Sequence, residues 1–248
     1  MVTKDEIVRI ARNKKLPLGI IEKDYVLTYV LKRIYESSLK EKLVFKGGTA
    51  LHKLYLHKRI SIDLDFTEVV PVSIEGLKRV VEGKGISSKI KEVNETENST
   101  KTILSYTSVL KYKNNIVIDI SRREKPLLGT VTKELKSPYF KKFDILTFQL
   151  EELIAEKIRA IIQRNKPRDY LDLYYILNKK NLDLKKTMEI AKKKVESTND
   201  KFDIEKIFDD LDLVKSLWKQ DLTGLVVKIP EFDKVIKKIK NKLLTDFT

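Results

Sequence analysis

The stretch Leu43–Phe66, LVFKGGTALHKLYLHKRISIDLDF, constrains the fold more than any other part of the chain. Leu43, Val44 and Phe45 form the short apolar run of a buried strand, and the run stops at Gly47-Gly48, where the backbone can turn without a Cβ clash. Thr49 is placed to cap a helix, with Leu51, Leu54 and Tyr55 following at helical spacing. The N–H groups of that first turn face whatever sits over the glycines, an arrangement that favours a phosphate. Next, Ile62, Leu64 and Phe66 alternate with Ser61, Asp63 and Asp65. A strand's period of two puts both carboxylates on one face and the apolar side chains on the other. Two acids so close invite a divalent cation.

The flanking segments divide by pattern. Residues Val2–Lys40 read as helical, broken at Pro17, and Ile20, Ile21, Tyr25, Val26, Tyr29, Val30 and Ile34 make the apolar stripe of the second helix. Glu22, Lys23 and Asp24 stand near its start, where acids complement the helix dipole, so capping is their default role. Ile74–Val81 reads as a short helix. Glu95–Thr102 reads as a polar turn or loop between β elements, and strands are expected over Thr102–Tyr112 and Asn115–Ser121 with Lys113-Asn114 as the hairpin tip. In the second of these strands Asp119 faces away from Ile116, Ile118 and Ile120. It is either an exposed edge residue or, if its strand neighbours Ile62–Phe66, the third member of a carboxylate cluster. Arg122–Lys142 reads as an irregular connection with room for one short strand.

From Leu146 the composition turns helical. Leu150, Leu153, Ile154, Ile158 and Ile161 form a stripe that also contains Lys157, which either snorkels to the helix edge or needs an anion. After Pro167, Asp169 and Asp172 share a face with Leu173, Ile176 and Leu177. Acids at that spacing near a helix start serve as caps, or they form one polar pocket with Lys157. The remainder offers KKTMEIAKKKV, FDIEKIFDDL, LVKSLWKQ and FDKVIKKIKNKLL as helices, with Lys192-Lys193-Lys194 and Lys237-Lys238 read as solvated faces. Two closely packed parts are expected, 1–145 and 146–248.

Composition removes several classes of chemistry. The chain has no cysteine and only two histidines, His52 and His57, which excludes disulfides, thiolate catalysis and Cys-ligated zinc and leaves acid, base or metal work to carboxylates. Its 51 Lys and Arg against 36 Asp and Glu give a net charge of +15, the electrostatic footprint of a nucleic-acid or anionic-surface partner. No apolar run approaches the ~20 residues of a membrane span and the N-terminus lacks a signal-peptide core, so no membrane partner and a cytoplasmic location are expected.

The order K-G-G-T-A-L, then R-x-S-x-D-x-D-F at Arg59–Phe66, then E-K-x-R-A around Lys157 and R-D-Y-L-D-L from Arg168, with E-K-D-Y at Glu22–Tyr25, resembles the AbiEii/AbiGii toxin family of the polymerase-β-like nucleotidyltransferase superfamily. The resemblance covers the chain up to about Leu177. It implies an α+β fold: a mixed-sheet nucleotidyltransferase core with an N-terminal helical segment, and a helical C-terminal part completing the nucleotide site. It implies a metal-dependent enzyme that moves a nucleoside monophosphate from an NTP to an acceptor, an RNA such as a tRNA 3′ end, as the toxin of a toxin–antitoxin system. By position, Gly47, Gly48 and Thr49 would grip the triphosphate and Asp63 and Asp65 would hold Mg²⁺ or Mn²⁺ with Asp119 as third acid. Lys157 would contact the triphosphate, and Asp169, with Asp172 beside it, would supply the later acidic motif. A cognate antitoxin is an implied partner. The alternative from the residues alone is a basic nucleotide- or nucleic-acid-binding regulatory protein without transferase activity.

Overall fold

A computed structural model describes residues 1–83, 85–123, 125–177, 179 and 182–245. The chain divides into two compact units, Met1–Phe148 and Gln149–Thr248. In the first, α1 (Lys4–Lys14) and α2 (Leu18–Tyr35) precede β1 (Leu43–Lys46) and α3 (Gly47–Leu51), which runs on as a π-type turn over His52–Leu56. There follow β2 (Asp63–Glu68), α4 (Ile74–Val81), β3 (Ser87–Glu95), β4 (Ser99–Thr107), β5 (Lys113–Ser121), β6 (Thr130–Leu135) and β7 (Phe143–Phe148). The second unit holds α5 (Leu150–Arg164), α6 (Pro167–Ile176), α7 (Leu184–Glu196), a 3₁₀ turn at Glu205–Phe208, α8 (Leu211–Leu222) and α9 (Phe232–Thr245).

Among the described residues seven strands form one mixed sheet in the order β3-β4-β5-β2-β1-β7-β6. β1 and β2 are antiparallel, while β2 with β5 and β1 with β7 are parallel. The short link through α3 explains the first pairing, and the parallel pairs need the longer crossovers that the chain provides. Leu64, Phe66, Ile116, Ile118 and Ile120 are buried on one face, while Asp63, Asp65 and Asp119 on the other are only half buried. Tyr35 fastens α2 to the middle of the sheet: its hydroxyl donates to the carbonyls of Leu43 and Leu146, on either side of the β1–β7 pair. In the second unit, α5 buries Leu153, Ile154, Ala155, Ile158 and Ile161, and α7 buries Met188, Ile190, Ala191 and Val195.

The α+β mixed-sheet architecture stands as expected, and several local readings are corrected. Thr49 does not cap a helix; α3 starts earlier, at Gly47, with Lys46 in the cap position. Lys113 and Asn114 lie inside β5, and the β4–β5 link is 108–112, where Lys111 supplies a left-handed φ of 65°. Of Glu95–Thr102, only 96–98 leaves the ladder, since Thr100 and Thr102 are buried in β4. Leu146 sits in β7 rather than at a helix start, and in place of one FDIEKIFDDL helix a 3₁₀ turn at Glu205–Phe208 precedes α8, which starts at Leu211. Lys194 is 1% exposed and held by Glu152 at 3.0 Å and Glu156 at 3.5 Å, because it falls on the face of α7 that carries Ile190, Ala191 and Val195.

Candidate active site

β1 delivers the chain to the glycine turn and β2 carries the acids back beside it. Gly47 has φ +72°, a left-handed conformation that favours glycine, and a Cβ built there would fall inside the Asp65 carboxylate. Strand and turn therefore touch at a residue that has no side chain. Thr49, the third residue of α3, donates its hydroxyl to the Asp63 carbonyl at 2.5 Å and so locks the helix to the start of β2. Gly47→Ala would meet both the φ and the carboxylate. It is expected to lower stability by at least about 1–2 kcal/mol, read as a fall in melting temperature.

The strand register settles the place of Asp119. β2 and β5 run parallel with Asp65 opposite Asp119 and Asp63 opposite Val117. Asp65 and Asp119 are thus direct neighbours, and Asp63 lies two residues along the same face. Among the described residues no three His, Asp or Glu side chains form a group able to hold a metal. Asp65 faces Gly47 instead. The donor chemistry nevertheless fits Mg²⁺, which takes hard oxygen ligands and is commonly bound through one or two carboxylates together with substrate phosphates.

Helix α2 brings Lys23 within electrostatic range of Asp63 and Asp24 to Lys53, and here the capping reading of Glu22, Lys23 and Asp24 is overturned. The helix starts at Leu18 and its first turn contains no acid. Glu22 is fully buried and accepts the Leu110 N–H at 2.8 Å, and burial pushes its carboxyl above the usual range. Asp24 is 6% exposed; it pairs with Lys53 Nζ at 2.5 Å and accepts the Tyr139 hydroxyl at 2.9 Å. Lys53 lies on the π-type turn that continues α3, so this pair ties α2 to the segment following the glycines. Burial pulls the Lys23 ammonium below the usual lysine range, and Asp63 partly restores it. The only sign of these roles in the sequence is that the acids stand a full turn too far from Pro17 to be caps.

In the second unit the anomalies of α5 and α6 resolve into one cluster. Lys157 Nζ lies 2.8 Å from Asp169 Oδ1 and 3.0 Å from Asp172 Oδ2, and Arg164 Nη2 reaches Asp169 Oδ2 at 2.9 Å. Lys157 is 7% exposed and Asp172 fully buried. Snorkelling and simple capping are both excluded: the lysine is inside, and the acids bond to side chains from α5. Arg164, at the end of α5, is an addition to the expected group, since its sequence position shows only a basic residue near a helix C-terminus.

Among the described residues, a seven-stranded mixed sheet with a glycine turn that opens α3 and an acid-bearing strand beside it matches the fold of a nucleotidyltransferase toxin of known structure. MenT4, a nucleotidyltransferase toxin from Mycobacterium tuberculosis H37Rv, superposes with a TM-score of 0.81 at 16% identity, over 100% of this chain and 91% of its own. JHP933 from Helicobacter pylori gives 0.65 at 19% identity, over 92% of this chain and 91% of its own. The family described as nucleotidyl transferase AbiEii toxin, type IV toxin–antitoxin system, matches residues 29–238. The chain belongs to that family, which bears out the resemblance carried by its motifs. The match reaches past Leu177 into the C-terminal helices and begins after the E-K-D-Y segment. No curated protein matches the chain, and among the described residues no helix is long and apolar enough to cross a membrane.

Proposed function

We propose that this member of a nucleotidyltransferase toxin family transfers a nucleoside monophosphate from an NTP to a hydroxyl of an RNA acceptor, of which a tRNA 3′ end is the type suggested by resemblance. The acceptor oxygen bonds to the α-phosphorus, the α–β anhydride bond breaks, pyrophosphate leaves and the hydroxyl proton passes to water. The observation that carries the reading is the register that sets Asp65 beside Asp119, with Asp63 on the same face and Asp65 packed on Gly47. A face with three acids and half-buried exposure is unfavourable for the empty protein and suited to cationic and phosphate ligands.

Asp63, Asp65 and Asp119 would hold Mg²⁺ or Mn²⁺. When bound, the ion would neutralise phosphate charge and lower the pKa of the attacking hydroxyl. The turn at Gly47, Gly48 and Thr49 lets the triphosphate approach backbone N–H groups. Lys23 adds positive charge in electrostatic range of Asp63. In the second unit, Lys157 is assigned to the triphosphate by resemblance, with Asp169 and Asp172 orienting its ammonium. The net charge of +15 favours an anionic polymer as acceptor, and a type IV family implies a cognate antitoxin in the same system.

The test incubates the pure chain with each α-labelled NTP, Mg²⁺ and total RNA. Label should enter RNA with at least one nucleotide and should not do so in excess EDTA. Absence of labelled RNA with all four nucleotides overturns the transfer reading and leaves a nucleotide- or nucleic-acid-binding role.

A further inference from the structure

The row of charges does not end at the acids. Lys46 on β1 stands opposite Asp65, Asp65 opposite Asp119, and Asp119 opposite Lys101 on β4. Directly opposed residues project from the same face of a sheet, so Lys101 shares the open face with Asp63, Asp65 and Asp119. The burial of Thr100 and Thr102 on the other side agrees with this, and Lys101 itself is exposed. Cβ atoms of such cross-strand neighbours are roughly 4.5–5.5 Å apart, and opposite charges there ordinarily pair. Lys101 and Asp119 do not. Among the described residues neither side chain takes part in an ion pair or a hydrogen bond.

Strand order gives the free lysine a direction. The glycine turn leaves β1 on one flank of the acids, and β5 and β4 lie on the other. An in-line displacement at phosphorus requires the leaving and attacking oxygens on opposite sides of the α-phosphate. On the transfer reading, which sets the leaving pyrophosphate over Gly47 and Gly48, that places the attacking hydroxyl on the side of β5 and β4. We infer that Lys101 is an acceptor-binding residue, contacting a phosphodiester of the RNA strand whose hydroxyl attacks. This rests on the transfer reading, and it gives the charges separate roles, with Lys101 serving the acceptor and the glycine turn the NTP.

The experiment compares wild type with Lys101→Ala, Lys101→Glu and Lys101→Arg. Binding of a labelled single-stranded RNA oligonucleotide is measured over a salt series, and melting temperature with and without NTP and Mg²⁺. Loss of one phosphate contact should lower the slope of log affinity against log salt by about 0.7 in Lys101→Ala. Lys101→Glu should bind still more weakly, and Lys101→Arg should match wild type. The nucleotide-induced melting shift should be the same in all four proteins, and in transfer assays the acceptor KM should rise while kcat holds. RNA affinity and slope unchanged in both Lys101→Ala and Lys101→Glu would overturn the assignment, and so would a reduced nucleotide shift, which would move Lys101 to the NTP. A wild type that binds RNA through Lys101 but transfers nothing would leave the contact standing and sink the transfer reading. Transfer with an acceptor KM indifferent to Lys101 would do the reverse.

Discussion

Asp63→Asn is expected to lower nucleotide transfer by about a thousandfold or more while the protein stays folded. The size follows from what the carboxylate does in the proposed chemistry. A metal that stabilises charge on the reacting phosphate contributes several kcal/mol, and about 4 kcal/mol corresponds to about a thousandfold in rate. The substitution preserves shape and removes only charge, and the Thr49 hydrogen bond is made to the Asp63 main-chain carbonyl, so the anchor of α3 survives. Two electrostatic changes oppose one another in the empty protein: repulsion from Asp65 and Asp119 is relieved, and Lys23 loses the anion that supports its charge. The melting temperature without ligand should therefore move little. NTP with Mg²⁺ should raise the melting temperature of wild type and not of the mutant, because only a ligand that binds the native state shifts it. Turnover within tenfold of wild type would remove Asp63 from the reaction.

What is legible in the sequence is local. Alternation of Ile62, Leu64 and Phe66 with acids needs only the period of a strand, and it is enough to place Asp63 and Asp65 on one face. The Gly47 turn is likewise readable from a dipeptide, although its cause, the Asp65 side chain against the Cα, comes from the partner strand. Asp119 marks the limit: its face can be read, but its neighbours depend on β2 pairing with β5 across more than fifty residues. Lys101 depends on one register more. β7 escapes for a similar reason, since its Thr147 is ordered by donating to the Phe45 carbonyl, and nothing near either residue announces the pairing. The helices fail differently. Asp24 and Lys194 look by type like exposed charges, yet each is buried on an apolar helix face with its counter-ion on another element, Lys53 for one and Glu152 for the other.

Lys157→Met provides the other large effect, and its sign depends on those partners. For a lysine snorkelling from a helix edge, methionine would preserve the packing and cost little. With Lys157 between Asp169 and Asp172, both buried, the same change removes the ammonium that pairs with both carboxylates, and Arg164 reaches Asp169 of the two. Breaking a buried pair by removing one partner costs about 3–5 kcal/mol, so the ligand-free mutant should melt well below wild type. Replacing the whole group is a different experiment. A triple variant, Lys157→Met with Asp169→Asn and Asp172→Asn, removes the charges together and should recover most of the lost stability, because the penalty comes from burying the carboxylate charges without that ammonium. The pair of variants also separates stability from chemistry. If Lys157 serves the triphosphate as well as the fold, the triple variant should regain its melting temperature and still show no stabilisation by NTP and Mg²⁺. A ligand-induced shift equal to wild type in that variant would confine Lys157 to holding α5 against α6, and the triphosphate contact would have to come from elsewhere in the chain.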